Sequence, residues 1–390
     1  MNRLLIISFD AVGSAEWQRL SAWPNVAKFA ESAALTLDAR TVFVSNTYPI
    51  HSSVATGLPP CDHGLISNTE PFPEAHPPWF TREKYIRRKT LWQAVAEAGG
   101  SVASVLWPVT GCAKGIRWNI PENPPRPGQN LFLENLRTGS KFLQLRMLLK
   151  HFKLLLSLDQ PGLDSFVTAC AAELLRGYKP NLTLVHLTCY DTLCHRYGRE
   201  APELETAFES LDTNLGLLLD AAGPETSVIL FSDHAQFSVH TVVAVNDVLR
   251  DLGLIRREGD TWIPGPENCY IECCGGSAFF CPGSLDGAGI ARVKGAVARS
   301  EGFNRFLTGE EMRECGREQL PFGFCAKIGW CYDSVGKAEK GNHGYPPDYP
   351  GYEVFYAVRG AGHTPGGVRH GGSLLDIAPL AAEELGIEFN

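Results

Sequence analysis

No apolar run in this chain reaches the ~18 residues that a membrane-spanning helix needs, so no transmembrane helix is expected. Positive charge is also in short supply. The 35 Lys and Arg residues stand against 43 Asp and Glu, for a net charge of −8. That balance argues against wholesale binding of a nucleic-acid polymer or an anionic membrane, while leaving room for a local basic groove. Among 12 cysteines there is no CxxC pair at zinc-ribbon spacing, and the expectation is reduced, buried thiols rather than a disulfide framework. The opening run RLLIISF is too short for an export signal and stops at Asp10. It reads as the first strand of the fold, and the chain is expected in the cytoplasm. Internal repeats and low-complexity tracts are missing too. Lastly, no Lys or Arg falls between Arg40 and Arg82.

What is present is alternation. Apolar runs of strand length occur at 3–9, 39–46, 101–107, 181–187 and 226–232. Amphipathic stretches at 23–33, 90–100, 165–178 and 203–223 lie between them, and 373–387 reads as a closing helix. Strands alternating with helices predict an α/β domain, with a mainly parallel sheet sandwiched by helices. Two stretches interrupt the pattern. Residues 240–335 are too long for one crossover and are expected to form a smaller inserted α+β cap, leaving 1–239 and 336–390 as the catalytic domain. Residues 112–162 hold a Pro-rich loop followed by KFLQLRMLLKHFKLLLSL. The narrow polar face of that helix favours a lid-like insertion, buried or in a subunit contact, over membrane-surface binding through Lys141, Arg146, Lys150 and Lys153.

In parallel α/β sheets, ligands and catalytic groups gather at the carboxyl ends of the strands. The polar residues at the ends of these runs are Asp10, then Thr47, then Asp191 and His195, then Asp233 and His234. Downstream, GNHGY sets His343 between glycines. Each of these alone is an ordinary cap or turn former. As a set on one sheet edge they form two three-ligand groups: Asp191, His195 and His343, and Asp10, Asp233 and His234. Three protein ligands with an open position is the pattern of a catalytic zinc site, and mixed N/O ligation leaves manganese or iron as alternatives. Thr47 precedes Tyr48-Pro49, which places it at a helix N-terminus, where phosphate is favoured. A hydroxyl is a poor nucleophile until a bound dication lowers its pKa. Asn68, past the glycine loop, is placed to donate its amide to a phosphate oxygen.

The segments SFDAVG, NTYPIHSSVATGLPPCDHGLISN, YDTLCHRYG, FSDH and GNHGY together resemble the alkaline phosphatase superfamily, and within it the nucleotide pyrophosphatase/phosphodiesterase branch. The resemblance implies a two-zinc site. One ion would be held by Asp191, His195 and His343, and the other by Asp10, Asp233, His234 and Thr47. It further implies a phospho-threonine intermediate on Thr47, with Asn68 contacting phosphate. The sequence departs from the family at Thr188-Cys189-Tyr190, at Cys194 and at Ala235, none of which removes a ligand. Thr47 and His51 argue against a sulfatase, which needs an oxidisable Cys or Ser and a nearby Arg. The cation-free stretch from 41 to 81 argues for diesters or pyrophosphates over dianionic monoesters. The expected function is thus a metal-dependent phosphodiesterase acting on small-molecule phosphate esters or pyrophosphates. Phosphomonoester or phosphonoacetate-type hydrolysis are the alternatives within the superfamily, and a non-catalytic phospholigand-binding protein is the alternative outside it. The basic run 81–92 is expected to be a solvated face, and Trp79 a core or lid residue.

Overall fold

Strand β1 (Leu4–Phe9) is buried along its whole length. Leu5, Ile7 and Phe9 face one core, packed on helices Pro24–Ser32, Gly162–Tyr178 and Leu204–Ala222. Leu4 and Ile6 face the other, packed on helices Thr47–Thr56, Leu91–Glu97 and Ile377–Leu385. Alternate side chains of a strand point to opposite faces, so a strand covered on both sides has to be apolar throughout. The structure, a computed structural model, describes residues 1–70, 77–156 and 159–389.

Five further strands join β1 in chain order: β2 (Ala34–Ala39), β3 (Val102–Val105), β4 (Trp118–Ile120), β5 (Leu182–Leu187) and β6 (Ser227–Ser232). With strands Val354–Arg359 and Val368–His370 they make one eight-stranded sheet. Its order is Val368–His370, β2, Val354–Arg359, β6, β1, β5, β3, β4. Only Val354–Arg359 runs antiparallel to its neighbours. The predicted sheet, mainly parallel with helices on both faces, is the one formed. Register then aligns the chemistry. Phe9 lies opposite both Leu187 and Ser232, so three strands end flush, and Asp10, Thr188 and Asp233 come next, side by side.

The run 39–46 departs from expectation. The strand is Ala34–Ala39, and residues 41–46 are buried outside any ladder. Here Thr41 Oγ1 donates to the Asp233 carbonyl and Ser45 Oγ to the Tyr345 carbonyl. Phe43 and Val44 join a third apolar core. An apolar run reports burial, and in this case a second layer does the covering instead of strand partners. That core extends through 240–335. The stretch carries a four-stranded antiparallel sheet in the order Tyr270–Cys273, Ser277–Cys281, Gly323–Ala326, Phe303–Phe306, and helices Gly287–Val297 and Gly309–Glu314. All twelve cysteines are unbonded.

The 112–162 insertion, described except at 157 and 158, places β4 at the sheet edge and then helices Leu131–Thr138 and Lys141–His151. Leu143 and Met147 pack inward, but Phe142, Leu145 and Leu149 face solvent. The helix, expected to be buried or in a subunit contact, is buried within the chain along one narrow side only. In the basic run 81–92, Arg82 pairs with Glu134 and Lys89 with Glu97.

Candidate functional site

Asp10 continues β1 by one residue, its N–H donating to the Leu187 carbonyl at 3.0 Å. Its Oδ1 lies 3.4 Å from His234 Nε2 and its Oδ2 lies 3.1 Å from His186 Nε2. Asp233 comes just after β6, where the strand has ended, so Asp233 and His234 can turn to the same space. Asp233 Oδ1 accepts from the backbone N–H of Ala11 (3.0 Å) and of His234 (2.9 Å). Its Oδ2, 3.5 Å from His234 Nε2, accepts no hydrogen bond.

Thr47 is the first residue of helix Thr47–Thr56, entered through extended Asn46. Pro49 falls in the first turn, where its missing N–H costs nothing. Thr47 Oγ1 lies 3.3 Å from His234 Nε2. The next N–H, of Tyr48, donates to Asn68 Oδ1 at 2.9 Å. That bond fixes the Asn68 amide so that Nδ2 is the group left to donate, and Asn68 and Thr47 line the same cavity of about 460 Å³.

Asp191 and His195 are one turn apart on helix Cys189–Tyr197, with His195 Nε2 3.4 Å from Asp191 Oδ1. The start of this helix is held by a residue from elsewhere. Buried Asp164, in the first turn of helix Gly162–Tyr178, accepts from the N–H groups of Thr188 and Cys189, both at 3.0 Å, and from Gln160 Nε2 at 2.9 Å. An acidic side chain capping the free N–H groups at a helix start also complements the dipole. Asp164→Ala is expected to destabilise the protein by about 3 kcal/mol, because it orphans buried N–H groups bonded to a charged acceptor. Thermal unfolding of the variant checks this, and its turnover should fall with the loosened Asp191.

His343 arrives on a turn in which Gly344 has φ +82° and a Cβ would collide with the Cys274 carbonyl oxygen, so glycine is required there. Its Nδ1 lies 3.1 Å from Asn46 Oδ1, and its ring stacks on His234 with centroids 4.1 Å apart. The structure therefore brings Asp10, Thr47, Asp191, His195, Asp233, His234 and His343 to one edge of the sheet. Ligand atoms of Asp10, Asp233 and His234 lie within 4.8 Å of one another, as do those of Asp191, His234 and His343. His234 sits between the two groups, and His195 adjoins the second through Asp191. Sequence alone assigns His195, not His234, to that second group.

Several partners carry no local signal in the sequence. Gln236 Nε2 donates to Asp191 Oδ1, and Glu339 Oε2 lies 3.3 Å from His195 Nδ1. His51 Nδ1 reaches the Thr47 carbonyl at 2.8 Å and lies 3.6 Å from Asp233 Oδ2. Glu122, from the Pro-rich loop, lies 4.0 Å from His186 Nδ1. His186 is the exception, the one ionisable side chain in a mostly apolar strand, one residue before its end.

The electrostatics are those of carboxylates crowded out of water. Burial, then Asp233 and Asp191, hold the Asp10 carboxyl well above its usual range. Burial pushes Asp233 up to about 6 and Glu122 up to about 8. Burial opposes ionisation of both partners in the Asp191–His195 pair, yet their attraction keeps Asp191 low and raises His195 to about 10. Burial lowers His234 to about 4, and His51 and His186 to about 3, so these rings are neutral at pH 7. Buried acceptors on Asp10 and Asp233 without hydrogen bonds, beside neutral imidazoles, are a donor set suited to divalent cations.

A family model described as type I phosphodiesterase / nucleotide pyrophosphatase matches residues 4–275. Bis(5'-adenosyl)-triphosphatase ENPP4 of Pongo abelii is 21% identical, across 99% of this chain and 78% of its own length. Ectonucleotide pyrophosphatase/phosphodiesterase family member 1 of Homo sapiens is 23% identical, across 60% of this chain and 23% of its own. Among solved structures, murine ectonucleotide pyrophosphatase/phosphodiesterase 5, in an inactive form complexed with AMP, matches with a TM-score of 0.72 at 16% identity. The match covers 100% of this chain and 96% of that one.

Proposed function

The chain belongs to the type I phosphodiesterase / nucleotide pyrophosphatase family, a metal-dependent branch of the alkaline phosphatase superfamily, and from that membership we propose that it hydrolyses small-molecule phosphodiesters and pyrophosphates through a phospho-threonine at Thr47. It is a phosphoric ester hydrolase. The observation that carries the finer reading is the position of Thr47 Oγ1, 3.3 Å from the His234 nitrogen where the two acid–histidine groups meet.

Asp10, Asp233, His234 and Thr47 would hold one dication, and Asp191, His195 and His343 the other, with zinc the best match to the ligand set and manganese the alternative. Bound there, the dications lower the pKa of the Thr47 hydroxyl and neutralise charge on the reacting phosphate. Thr47 Oγ1 attacks phosphorus, the ester oxygen opposite departs with its alcohol or phosphate, and water then releases Thr47. Asn68, its carbonyl already engaged by Tyr48 N–H, donates Nδ2 to a phosphate oxygen. His51 Nδ1–H donates to the Thr47 carbonyl, and its neutral ring lies 3.6 Å from Asp233 Oδ2.

Diester preference rests on charge. No Lys or Arg lines the cavity among the described residues, and none of its lining residues comes from 240–335. A dianionic monoester would meet carboxylates with no guanidinium to offset them. Zinc-loaded protein is therefore expected to turn over bis(p-nitrophenyl) phosphate at least about tenfold faster, in kcat/KM, than p-nitrophenyl phosphate, and p-nitrophenyl sulfate negligibly. Preference for the monoester would reject the diesterase reading. Metal binding with no ester turned over would identify a binding protein.

A further inference from the structure

The helix Lys141–His151 and the turn after it carry an apolar stripe on the wrong side. Phe142, Leu149 and Leu156 are 89%, 78% and 79% exposed, and Leu145 and Phe152 fill the positions between. The spacing of three and four residues puts all five along one line. Inward packing is done by Leu143 and Met147 alone. Phe132 and Leu133 of the preceding helix are about half exposed as well. A contiguous exposed apolar surface on a folded chain marks a binding face.

Charge says what kind. Residues 131–156 contain five Lys or Arg and a single carboxylate, in a chain of net charge −8. Arg146 and Lys150 share Glu173, while Arg137, Lys141 and Lys153 form no ion pair among the described residues. The cations flank the apolar line, as in helices that lie in a lipid–water interface. Among the described residues no helix is long and apolar enough to cross a membrane, and the amphipathic stripe itself fits a helix lying on the surface. The same insertion also reaches the candidate active site, because Leu131 and Leu155 line the cavity that holds Thr47.

The geometry points to residues 131–156 as a docking element for an anionic lipid surface, which seats the mouth of the Thr47 cavity against the bilayer. Phe142, Leu145, Leu149, Phe152 and Leu156 enter the interface, and Lys141 and Lys153 meet anionic headgroups. Lipid docking does not depend on catalysis, so its failure and that of the hydrolase reading are separable.

Vesicle flotation of the full chain tests it, with phosphatidylcholine vesicles containing phosphatidylserine and with phosphatidylcholine alone. The chain should float with the mixed vesicles, and F142S/L149S should reduce the bound fraction by at least about tenfold. Lys141→Glu with Lys153→Glu should remove the preference for the anionic vesicles. Turnover of soluble bis(p-nitrophenyl) phosphate should stay within about twofold in these variants, showing that they fold and that the site is intact. T47A should float like the parent chain. A chain that stays in the load zone, or a double variant that floats equally well, overturns the proposal. So does a dimer in sedimentation velocity that F142S/L149S dissolves without any flotation, since the occupant is then a second copy.

Discussion

Thr47→Ala is expected to keep the fold and the bound dications while losing turnover of bis(p-nitrophenyl) phosphate by at least about 10⁴-fold. In the proposed mechanism the hydroxyl is the only part of the side chain that takes part. Asn46, not Thr47, occupies the cap position of helix Thr47–Thr56, and Asn68 satisfies the Tyr48 N–H, so alanine leaves the helix start intact. Thr47→Ser keeps the hydroxyl and should retain measurable turnover. Acid quench of the parent enzyme during turnover, with mass spectrometry of its peptides, should find phosphate on the one containing Thr47. An alanine variant with more than about one hundredth of parental kcat would remove Thr47 from the chemical step.

The second large effect has opposite signs on activity and stability. Asp10, Asp191 and Asp233 share one buried space, and the raised pKa of Asp10 and Asp233 records the cost of charging them there. A carboxyl whose folded-state pKa exceeds its unfolded value binds a proton in the fold that the unfolded chain releases. Its contribution therefore lowers stability as pH rises from about 4 to about 6 and leaves it lowered at neutral pH. Dications held by these carboxylates, as proposed, would reverse the sign, because a metal ion binds the deprotonated form. Chelation should abolish turnover and lower the melting temperature at pH 7.5, with zinc restoring both. Dication binding near pH 6 should release protons, read by calorimetry in two buffers of different ionisation enthalpy. Asp10→Asn removes one of the crowded charges. It should raise the melting temperature of the chelated protein and lower the turnover of the loaded enzyme by about 10³-fold. A variant less stable than the parent without metal would show that Asp10 is not held under repulsion.

Much of the site was legible because sequence neighbours of strand ends become spatial neighbours in a parallel sheet. Asp10, Asp233 and His234 needed only the inference that β1 and β6 end on one edge, and the flush register of Phe9, Leu187 and Ser232 places them there. Asp191 and His195 needed only the helical repeat. By contrast, Glu122, Gln236 and Glu339 sit on loops whose paths no local pattern encodes. Asp164 looks like any first-turn acid until the tertiary structure sets the next helix start over it. The run 39–46 misled because burial by a second layer and burial in a sheet select the same apolar residues.

The order of strands and helices, the edge on which the polar residues gather and the threonine among them come from sequence alone, since alternation and periodicity are local properties of the chain. The tertiary structure decided that His234 lies between the two acid–histidine groups, that Asp164 anchors the Asp191 helix and that the stripe from Phe142 to Leu156 faces outward. Periodicity states that one side of a helix is apolar, but what covers that side depends on residues distant in the chain and on the space that packing leaves between them.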